Sequence, residues 1–246
     1  MVYLKQETVC EEQIMQKICY IIGAGDVPDK TDIRASDMDF IICADGGFKY
    51  NTLLGRMCDL VVGDFDSLGE NPDFENKIVL PCEKDFTDMK TAVDEGLKRG
   101  YTDFVIFGAL GGERSDHSVA NIALLSYICS KGAKGKLLHE GKTFLGFADG
   151  KVTLTPRKNG YVSVFSLCDE SLGVTIKGLK YCVNGVNLRL DTPFGVSNEF
   201  IGDSAEISVE KGCNYCDEYL NHWSGFQNMI SDGVATAAEA DITILA

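Results

Sequence analysis

The chain has 246 residues, of which 45% are apolar, 24% charged and 9% aromatic. This composition is that of a globular protein and excludes a disordered, collagen-like or low-complexity chain. Asp and Glu number 37 against 23 Lys and Arg, so the formal net charge is -14. A negative field of this size repels nucleic acid and attracts cations, and a phosphorylated ligand would need a metal ion as a bridge.

The N-terminal segment and the cysteines predict a cytoplasmic protein. Glu11, Glu12 and Lys17 precede a short apolar stretch, which is unlike a signal or transit peptide. No run approaches the ~20 apolar residues of a membrane-spanning helix. Four cysteines lie in apolar runs, namely Cys19, Cys43, Cys82 and Cys129, and the one CxxC, Cys213–Cys216, lacks partners for a zinc site. We therefore expect free thiols, no zinc and no membrane partner.

From residue 17 to about 140, short apolar runs alternate with helical patterns. The runs are continuous rather than alternating, which is typical of strands buried on both faces. They cover residues 19–25, 39–47, 59–67, 77–81 and 103–112. Helices are predicted near 48–55, over 87–100 and over 115–132. This order predicts a mostly parallel α/β sheet, in which ligands bind at the carboxyl ends of the strands.

From about residue 142 the pattern changes to short strands and turns without helices. Segments such as KVTLTP, YVSVFSL and AEISVEKG are separated by Gly, Asn and Asp, which predicts an antiparallel β-sandwich. We therefore divide the chain into an α/β domain, 1–140, and a β-sandwich domain, 141–246. The tail, 213–246, receives no assignment.

Acidic residues follow four consecutive strand-like runs. They are Asp45, Asp64, Asp66, Asp85, Asp88 and Asp116. In a parallel sheet they would meet at one edge, among glycines that let a ligand approach the backbone. Carboxylates at such an edge are the expected ligands of Mg²⁺, which bridges phosphates. A lone aspartate here would usually be a turn or capping residue, but that does not account for the whole set.

Three familiar motifs are incomplete. GAGDVP begins like a dinucleotide-binding fingerprint, but Pro28 replaces its third glycine. Lys136 stands where a phosphate-binding P-loop ending at Thr143 needs its first glycine. DFDSLG nearly matches a calcium-binding EF-hand loop, but Leu68 removes one ligand and a strand-like run precedes it. We expect none of these three sites.

A longer set of motifs resembles the thiamine pyrophosphokinase family. They are ADGG (44–47), GDFDS (63–67), DFTD (85–88), GALGGERSDHSVAN (108–121), GLKY (178–181) and GVSNEF (195–200), in this order. The resemblance covers roughly residues 17 to 212. It implies an α/β domain followed by a β-sandwich, and a homodimer with active sites at its interface. It also implies transfer of the β,γ-pyrophosphoryl group of ATP to the hydroxyl of thiamine, with release of AMP.

The resemblance assigns the cofactor and ATP to the acidic edge. It implies that Asp64, Asp66 and Asp88 hold Mg²⁺ and the phosphates of ATP. Thr87 would hydrogen-bond a phosphate, and Gly46 would lie at the ATP site. Mg²⁺ would neutralise phosphates that the acidic protein otherwise repels.

Further roles follow from the same resemblance. Arg114 and Asp116 match the Arg-x-Asp pair of the family and would contact the nucleotide and its phosphates. Glu113 adds a residue before Arg114 relative to many members, which could displace Arg114. Asp45 would lie beside thiamine or its reacting hydroxyl. It is a candidate general base by position only, because a loose transition state needs little base assistance.

In the β domain the resemblance implies a thiamine site. Tyr181 would stack on a thiamine ring, while Ser197 and Asn198 would contact the pyrimidine. From the residues alone, Tyr181 would be a strand aromatic, and the other two would be turn residues. Two alternatives to this activity stay open. They are another Mg²⁺-dependent nucleotide-processing enzyme, such as a hydrolase, and a non-enzymatic nucleotide- or metal-sensing module.

Overall fold

A computed structural model describes residues 17–66, 69, 72–155, 160–192, 194–219, 235–236 and 242–245, with side chains up to residue 212. The strands are β1 (Cys19–Ile22), β2 (Phe40–Ala44), β3 (Leu60–Gly63), β4 (Lys77–Val79), β5 (Asp103–Phe107), β6 (Lys134–His139), β7 (Lys142–Thr155), β8 (Tyr161–Ser166), β9 (Glu170–Lys177), β10 (Val183–Arg189), β11 (Gly195–Glu199), β12 (Ala205–Tyr219), β13 (Ala235–Thr236) and β14 (Ile242–Leu245). The α-helices are α1 (Asp88–Lys98) and α2 (Ser115–Ser130). The expectations for the N-terminal segment and for the thiols of Cys213 and Cys216 lie outside the described residues.

The first part of the chain forms a parallel sheet. Its strands run in the order β4-β3-β2-β1-β5-β6, and each neighbouring pair is parallel. All four residues of β1 and all four of β3 are buried. This burial explains why these strands appear in the sequence as continuous apolar runs. The predicted parallel α/β sheet is confirmed.

Both described α-helices pack on the same face of this sheet. Helix α1 buries Met89, Ala92, Val93 and Gly96, which recur at the spacing of one helical face. A Cβ at Gly96 would lie 2.5 Å from the ring of Phe104 on β5, so only glycine permits this close approach of helix and sheet. Among the described helices, none is both long and apolar enough to cross a bilayer.

Two local predictions differ from the structure. The helix predicted near 48–55 is wrong, because a 3-10 helix at Asp45–Tyr50 takes its place and starts directly after β2. Strand β6 was not among the predicted runs, because its sequence, KGKLLH, mixes lysines with the apolar residues. Strand β7 also begins well before KVTLTP, and its first residues pair with β6.

The second part of the chain is mostly antiparallel and continuous with the first, although β13 pairs parallel with β7 and β14 pairs parallel with β8. Strand β7 pairs antiparallel with both β6 and β12, and β12 in turn pairs with β9. A single hydrogen-bonded path, β11-β8-β14-β12-β7-β6-β5-β1-β2-β3-β4, therefore connects eleven of the described strands, and β9, β10 and β13 pair alongside it. The predicted fold class is confirmed, while the division at residue 140 stays a prediction.

Apolar packing covers both faces of the parallel sheet. One cluster contains residues of α1 and α2 together with the helix-facing side of the strands. The other cluster runs from the opposite side of the strands, through Leu138, Leu145 and Phe147, to buried residues of the antiparallel part. This second core packs the two parts of the chain together. The loops that carry the acidic residues follow the carboxyl ends of β2 and β3.

Candidate active site

The acidic loops after β2 and β3 have unusual backbone conformations. Asp45 follows β2 directly and has φ 45°, and Phe65, between the two acids of the next loop, has φ 62°. This left-handed region is uncommon for residues other than glycine. Phe65 is only 3% exposed, so burial of its ring anchors the loop in this conformation. The backbone N–H of Asp66 donates to Oδ1 of Asp64 at 3.4 Å, which closes a tight turn.

Close approach of the two loops forms a carboxylate cluster. A Cβ at Gly63 would lie 2.9 Å from Cα of Asp45, so glycine is needed where the loops meet. Carboxylate oxygens of Asp45, Asp64 and Asp66 all lie within 4.8 Å of one another. Several oxygen ligands at such separations suit a hard cation such as Mg²⁺. The predicted convergence of these three acids is therefore observed.

Lys84 joins the cluster to helix α1. Its Nζ lies 2.5 Å from Oδ2 of Asp64 and 2.9 Å from Oδ1 of Asp88, and all three side chains are mostly buried. Sequence reasoning missed Lys84. The signal that could have found it is its place in the acidic segment EKDFTD, close in sequence to Asp88 but outside α1.

The pKa shifts around Lys84 report an excess of negative charge. The hydrogen bond from Lys84 lowers the pKa of Asp64 despite its partial burial. Burial raises the pKa of Asp88; Lys84 opposes this shift, and the carboxylates of Asp64 and Asp45 add to it. Burial alone would lower the pKa of Lys84, but its bonds to the two acids raise it. One ammonium does not balance these carboxylates, so the cluster favours an added cation.

Thr87 and Asp88 form the start of α1. Oγ1 of Thr87 accepts a hydrogen bond from the backbone N–H of Lys90 at 3.2 Å, so Thr87 is the N-cap of the helix. The helix therefore begins beside the carboxylate cluster, with its positive dipole end at the site. Amide groups at a helix start are suited to binding phosphate.

Arg114 and Asp116 pair with each other and not with the carboxylates of the cluster. They form a two-pronged ion pair, with Nε to Oδ1 at 3.0 Å and Nη2 to Oδ2 at 2.6 Å, and both side chains are about two-thirds exposed. Arg114 lowers the pKa of Asp116 to about 2. Within the described residues, neither side chain hydrogen-bonds to the carboxylate cluster. Asp85 and Glu113 are exposed as well.

The two β-domain motifs contact each other. The backbone N–H of Lys180 donates to the carbonyl of Glu199 at 2.7 Å. The amide side chain of Asn198 accepts from the N–H of Tyr181 and donates to its carbonyl, each at 2.8 Å. Asn198 is only 3% exposed, whereas Tyr181 is 60% exposed. A buried amide therefore holds the backbone beneath an exposed aromatic ring.

Ser197 lies in an irregular part of β11. The pairing of β11 with β8 shifts register between Gly195 and Asn198, and Ser197 between them has φ 57°. Its backbone N–H donates to Oγ of Ser163 at 2.9 Å, while its side chain is exposed. The bulge thus leaves the hydroxyl of Ser197 on the surface, next in sequence to Asn198, whose amide hydrogen-bonds to the backbone of Tyr181.

The acidic cluster and the Tyr181 surface are separated within one chain. The cluster lies at the ends of β2 and β3, near one end of the strand order, and β11 lies at the other end. The structure therefore brings the predicted residues together as two groups. The first holds Asp45, Asp64, Asp66, Thr87 and Asp88, and the second holds Tyr181, Ser197 and Asn198.

Comparison with known proteins assigns both groups to one family. The model of the thiamin pyrophosphokinase catalytic domain matches residues 33–137, and that of the thiamin pyrophosphokinase vitamin B1 binding domain matches residues 151–213. The first range contains the carboxylate cluster, and the second contains Tyr181, Ser197 and Asn198.

Individual proteins agree with these matches. A thiamine pyrophosphokinase of Bacillus subtilis (strain 168) is 30% identical over an alignment of 157 positions, which covers 61% of this chain and 73% of that protein. A crystal structure of thiamine pyrophosphokinase from Bacillus subtilis has a TM-score of 0.66 at 26% identity, covering 80% of this chain and 96% of the other. That of thiamin pyrophosphokinase from Geobacillus thermodenitrificans has a TM-score of 0.66 at 25% identity, covering 80% and 94%.

Proposed function

Because the chain belongs to the thiamine pyrophosphokinase family, we propose that its acidic strand edge binds Mg²⁺ and the phosphates of ATP. The enzyme transfers the pyrophosphoryl group of ATP to the hydroxyl of thiamine, which gives thiamine diphosphate and AMP. The observation that carries the site assignment is the convergence of three carboxylates beside the start of α1.

The residues at this edge fit Mg²⁺. Their donors are carboxylate oxygens, which this hard cation prefers, and their excess negative charge favours it. We assign Asp64, Asp66 and Asp88 as the residues that would hold it. When bound, Mg²⁺ would neutralise charge on the transferred pyrophosphoryl group.

The remaining residues of the edge position the two substrates. Asp45 is assigned to orient the thiamine hydroxyl, because it belongs to the cluster and lies at the strand end. Thr87, at the start of α1, is assigned to a phosphate. The ion pair of Arg114 and Asp116 is exposed to solvent, so separating the two side chains leaves no buried charge behind. Arg114 can therefore exchange its carboxylate partner for phosphate oxygens. Such positioning and charge neutralisation are what phosphoryl transfer chiefly requires.

Tyr181 is the residue proposed to receive thiamine. Its exposed ring can stack on the cationic thiazolium or on the pyrimidine. Asn198 acts through Tyr181, because its buried amide is already bonded to the Tyr181 backbone. Ser197, with its exposed hydroxyl, remains a direct contact in this proposal. The net charge of the chain, -14, attracts the thiazolium cation.

We further propose a homodimer in which each active site uses two chains. The support is the position of the two residue groups at opposite ends of the strand order. A two-fold axis can place the Tyr181 surface of one chain over the carboxylates of the other.

An AMP assay tests the proposed function and its metal residues. We expect AMP to form from ATP only when thiamine and Mg²⁺ are both present. Asp66→Asn keeps the side-chain shape but loses the charge, so turnover should fall roughly a hundredfold or more. Asp203→Asn, a change at an exposed acid of the other domain, is the matched control and should leave turnover unchanged.

Two outcomes would contradict the proposal. Hydrolysis of ATP that is independent of thiamine would favour the hydrolase alternative. Wild-type turnover of folded Asp66→Asn at low Mg²⁺ would remove this residue from the metal site. Circular dichroism of each variant separates loss of the site from loss of the fold.

A further inference from the structure

Both carboxylate oxygens of Asp64 already have partners inside the chain. Oδ2 lies 2.5 Å from the Lys84 ammonium, and Oδ1 accepts from the N–H of Asp66 at 3.4 Å. A divalent cation at Asp64 would therefore share an oxygen with the ammonium or replace it. Two cations on one carboxylate repel each other strongly at such separations, even at the effective dielectric of a partly buried site. Replacement is the favoured outcome.

The position and flexibility of Lys84 allow its ammonium to leave Asp64 when a divalent cation binds there. Its ammonium is held by Asp64 on one side and by Asp88 on the other, and its side chain is 17% exposed. The flexible four-carbon stem lets the charge move while the backbone stays in place.

We propose that Lys84 is the resident counter-cation of this metal site and a substrate-binding residue of the reaction. Its ammonium neutralises Asp64 in the free enzyme, leaves Asp64 when the divalent cation binds, and then contacts phosphate oxygens of ATP. No covalent step is involved, and the lysine stays protonated throughout. The inference rests on the proposed metal role of Asp64 and Asp66.

The proposal predicts opposite effects of one substitution on two measurements. Lys84→Gln removes the competing charge, so the enzyme without nucleotide should bind Mn²⁺, a probe for oxygen-ligand sites, roughly tenfold more tightly. The same variant loses a charge at the phosphates, so kcat should fall roughly a hundredfold while the KM for thiamine stays unchanged. Mn²⁺ binding is measured by titration calorimetry, and kcat by AMP formation. Lys84→Met serves as a second variant if Lys84→Gln fails to fold.

Lys90→Gln is the matched control. Lys90 also pairs with an aspartate four residues on, at 2.7 Å from Asp94, and its side chain is similarly buried, at 21% exposure. It does not contact the cluster through its side chain. We expect unchanged Mn²⁺ affinity and unchanged kcat for this variant. A similar change in Lys90→Gln would mean that any lost lysine has the effect, which would overturn the proposal.

Further outcomes distinguish failure of the role proposed for Lys84 from failure of the proposed metal site. Equal Mn²⁺ affinity of wild type and Lys84→Gln would show that Lys84 does not compete for the site. Tighter Mn²⁺ binding with unchanged kcat would show that the ammonium does not contact the transferred phosphates. Either result overturns the role of Lys84 and leaves the metal site in place. If adding Asp66→Asn to Lys84→Gln does not weaken Mn²⁺ binding, the metal site itself is misassigned, and both proposals fall.

Discussion

At the scale of single residues, the β-domain site depends on one buried amide. Asn198 uses its oxygen for the N–H groups of Tyr181 and Glu199, and its nitrogen for the carbonyl of Tyr181. Its side chain thus makes the hydrogen bonds to the Tyr181 backbone that a neighbouring strand would otherwise make, and it holds in place the segment that carries the exposed Tyr181 ring. The ring can therefore be substituted with little effect on the core, whereas the amide cannot.

Substitution of Tyr181 should separate the two substrates. Tyr181→Ala removes the stacking surface, worth about 0.5–2 kcal/mol for a cation on an aromatic face, so the KM for thiamine should rise about 2- to 30-fold. The KM for ATP should change little, and Tyr181→Trp should retain thiamine binding because it keeps an aromatic face. Steady-state kinetics with each substrate varied in turn give the result. Equal increases in both KM values would indicate a folding defect instead of a lost thiamine contact.

Sequence reasoning found the carboxylates but not what holds them in place. Asp45, Asp64 and Asp66 were predictable because strand ends of a parallel sheet share one edge. The left-handed conformation of Phe65 was not, because a bulky residue rarely adopts it and burial of its ring in the core is a tertiary property. The contact of Lys84 with Asp64 spans 20 residues and depends on how the loops fold back.

At the scale of elements, α1 connects the fold to the site. Its apolar face packs on the sheet, and its first turn supplies Thr87 and Asp88 to the acidic edge. Thr87 caps the helix through Oγ1, so the same hydroxyl that is assigned to a phosphate also stabilises α1. These two functions of Thr87 can be distinguished by substitution.

Two variants of Thr87 should separate capping from phosphate binding. Thr87→Ala should lower the free energy of unfolding by about 1 kcal/mol, because the N–H of Lys90 loses its side-chain acceptor. Thr87→Asn restores a good cap without a hydroxyl, so it should recover stability but not full turnover. Urea denaturation and AMP formation measure the two effects. Unchanged stability of Thr87→Ala would contradict the capping role, and full activity of Thr87→Asn would contradict the phosphate contact.

Strands and helices were predictable where their own sequence carries the apolar spacing or capping residues that define them. Strands β1, β2 and β3 contain no charged residue, β5 is apolar after Asp103, and α1 carries its cap and its apolar spacing in sequence. Strand β6 is partly polar and is held by pairing with β5 and β7, a long-range property. The 3-10 helix at Asp45–Tyr50 begins at a left-handed residue, Asp45, so helical periodicity could not place it.

At the scale of the whole molecule, the central claim is that the two residue groups form one active site across two chains. One chain carries the carboxylates at β2 and β3, and it carries Tyr181 beside β11 at the other end of the strand order. Each group offers half of the chemistry, since the first suits the metal and phosphates and the second suits thiamine. A symmetric pair of chains would contain two complete sites.

Complementation between two defective variants tests this claim most directly. Asp66→Asn and Tyr181→Ala are dissociated, mixed and reassociated, then assayed at a thiamine concentration well below the KM, where Asp66→Asn is nearly inactive and Tyr181→Ala keeps only the fraction set by its raised KM. A hybrid dimer would hold one site with both defects and one with neither. Random reassociation makes about half of the dimers hybrid, so the hybrids should add roughly a quarter of the wild-type activity to what the remaining Tyr181→Ala dimers retain. No recovery, with hybrids confirmed by differential tags, would show that each active site is built within a single chain.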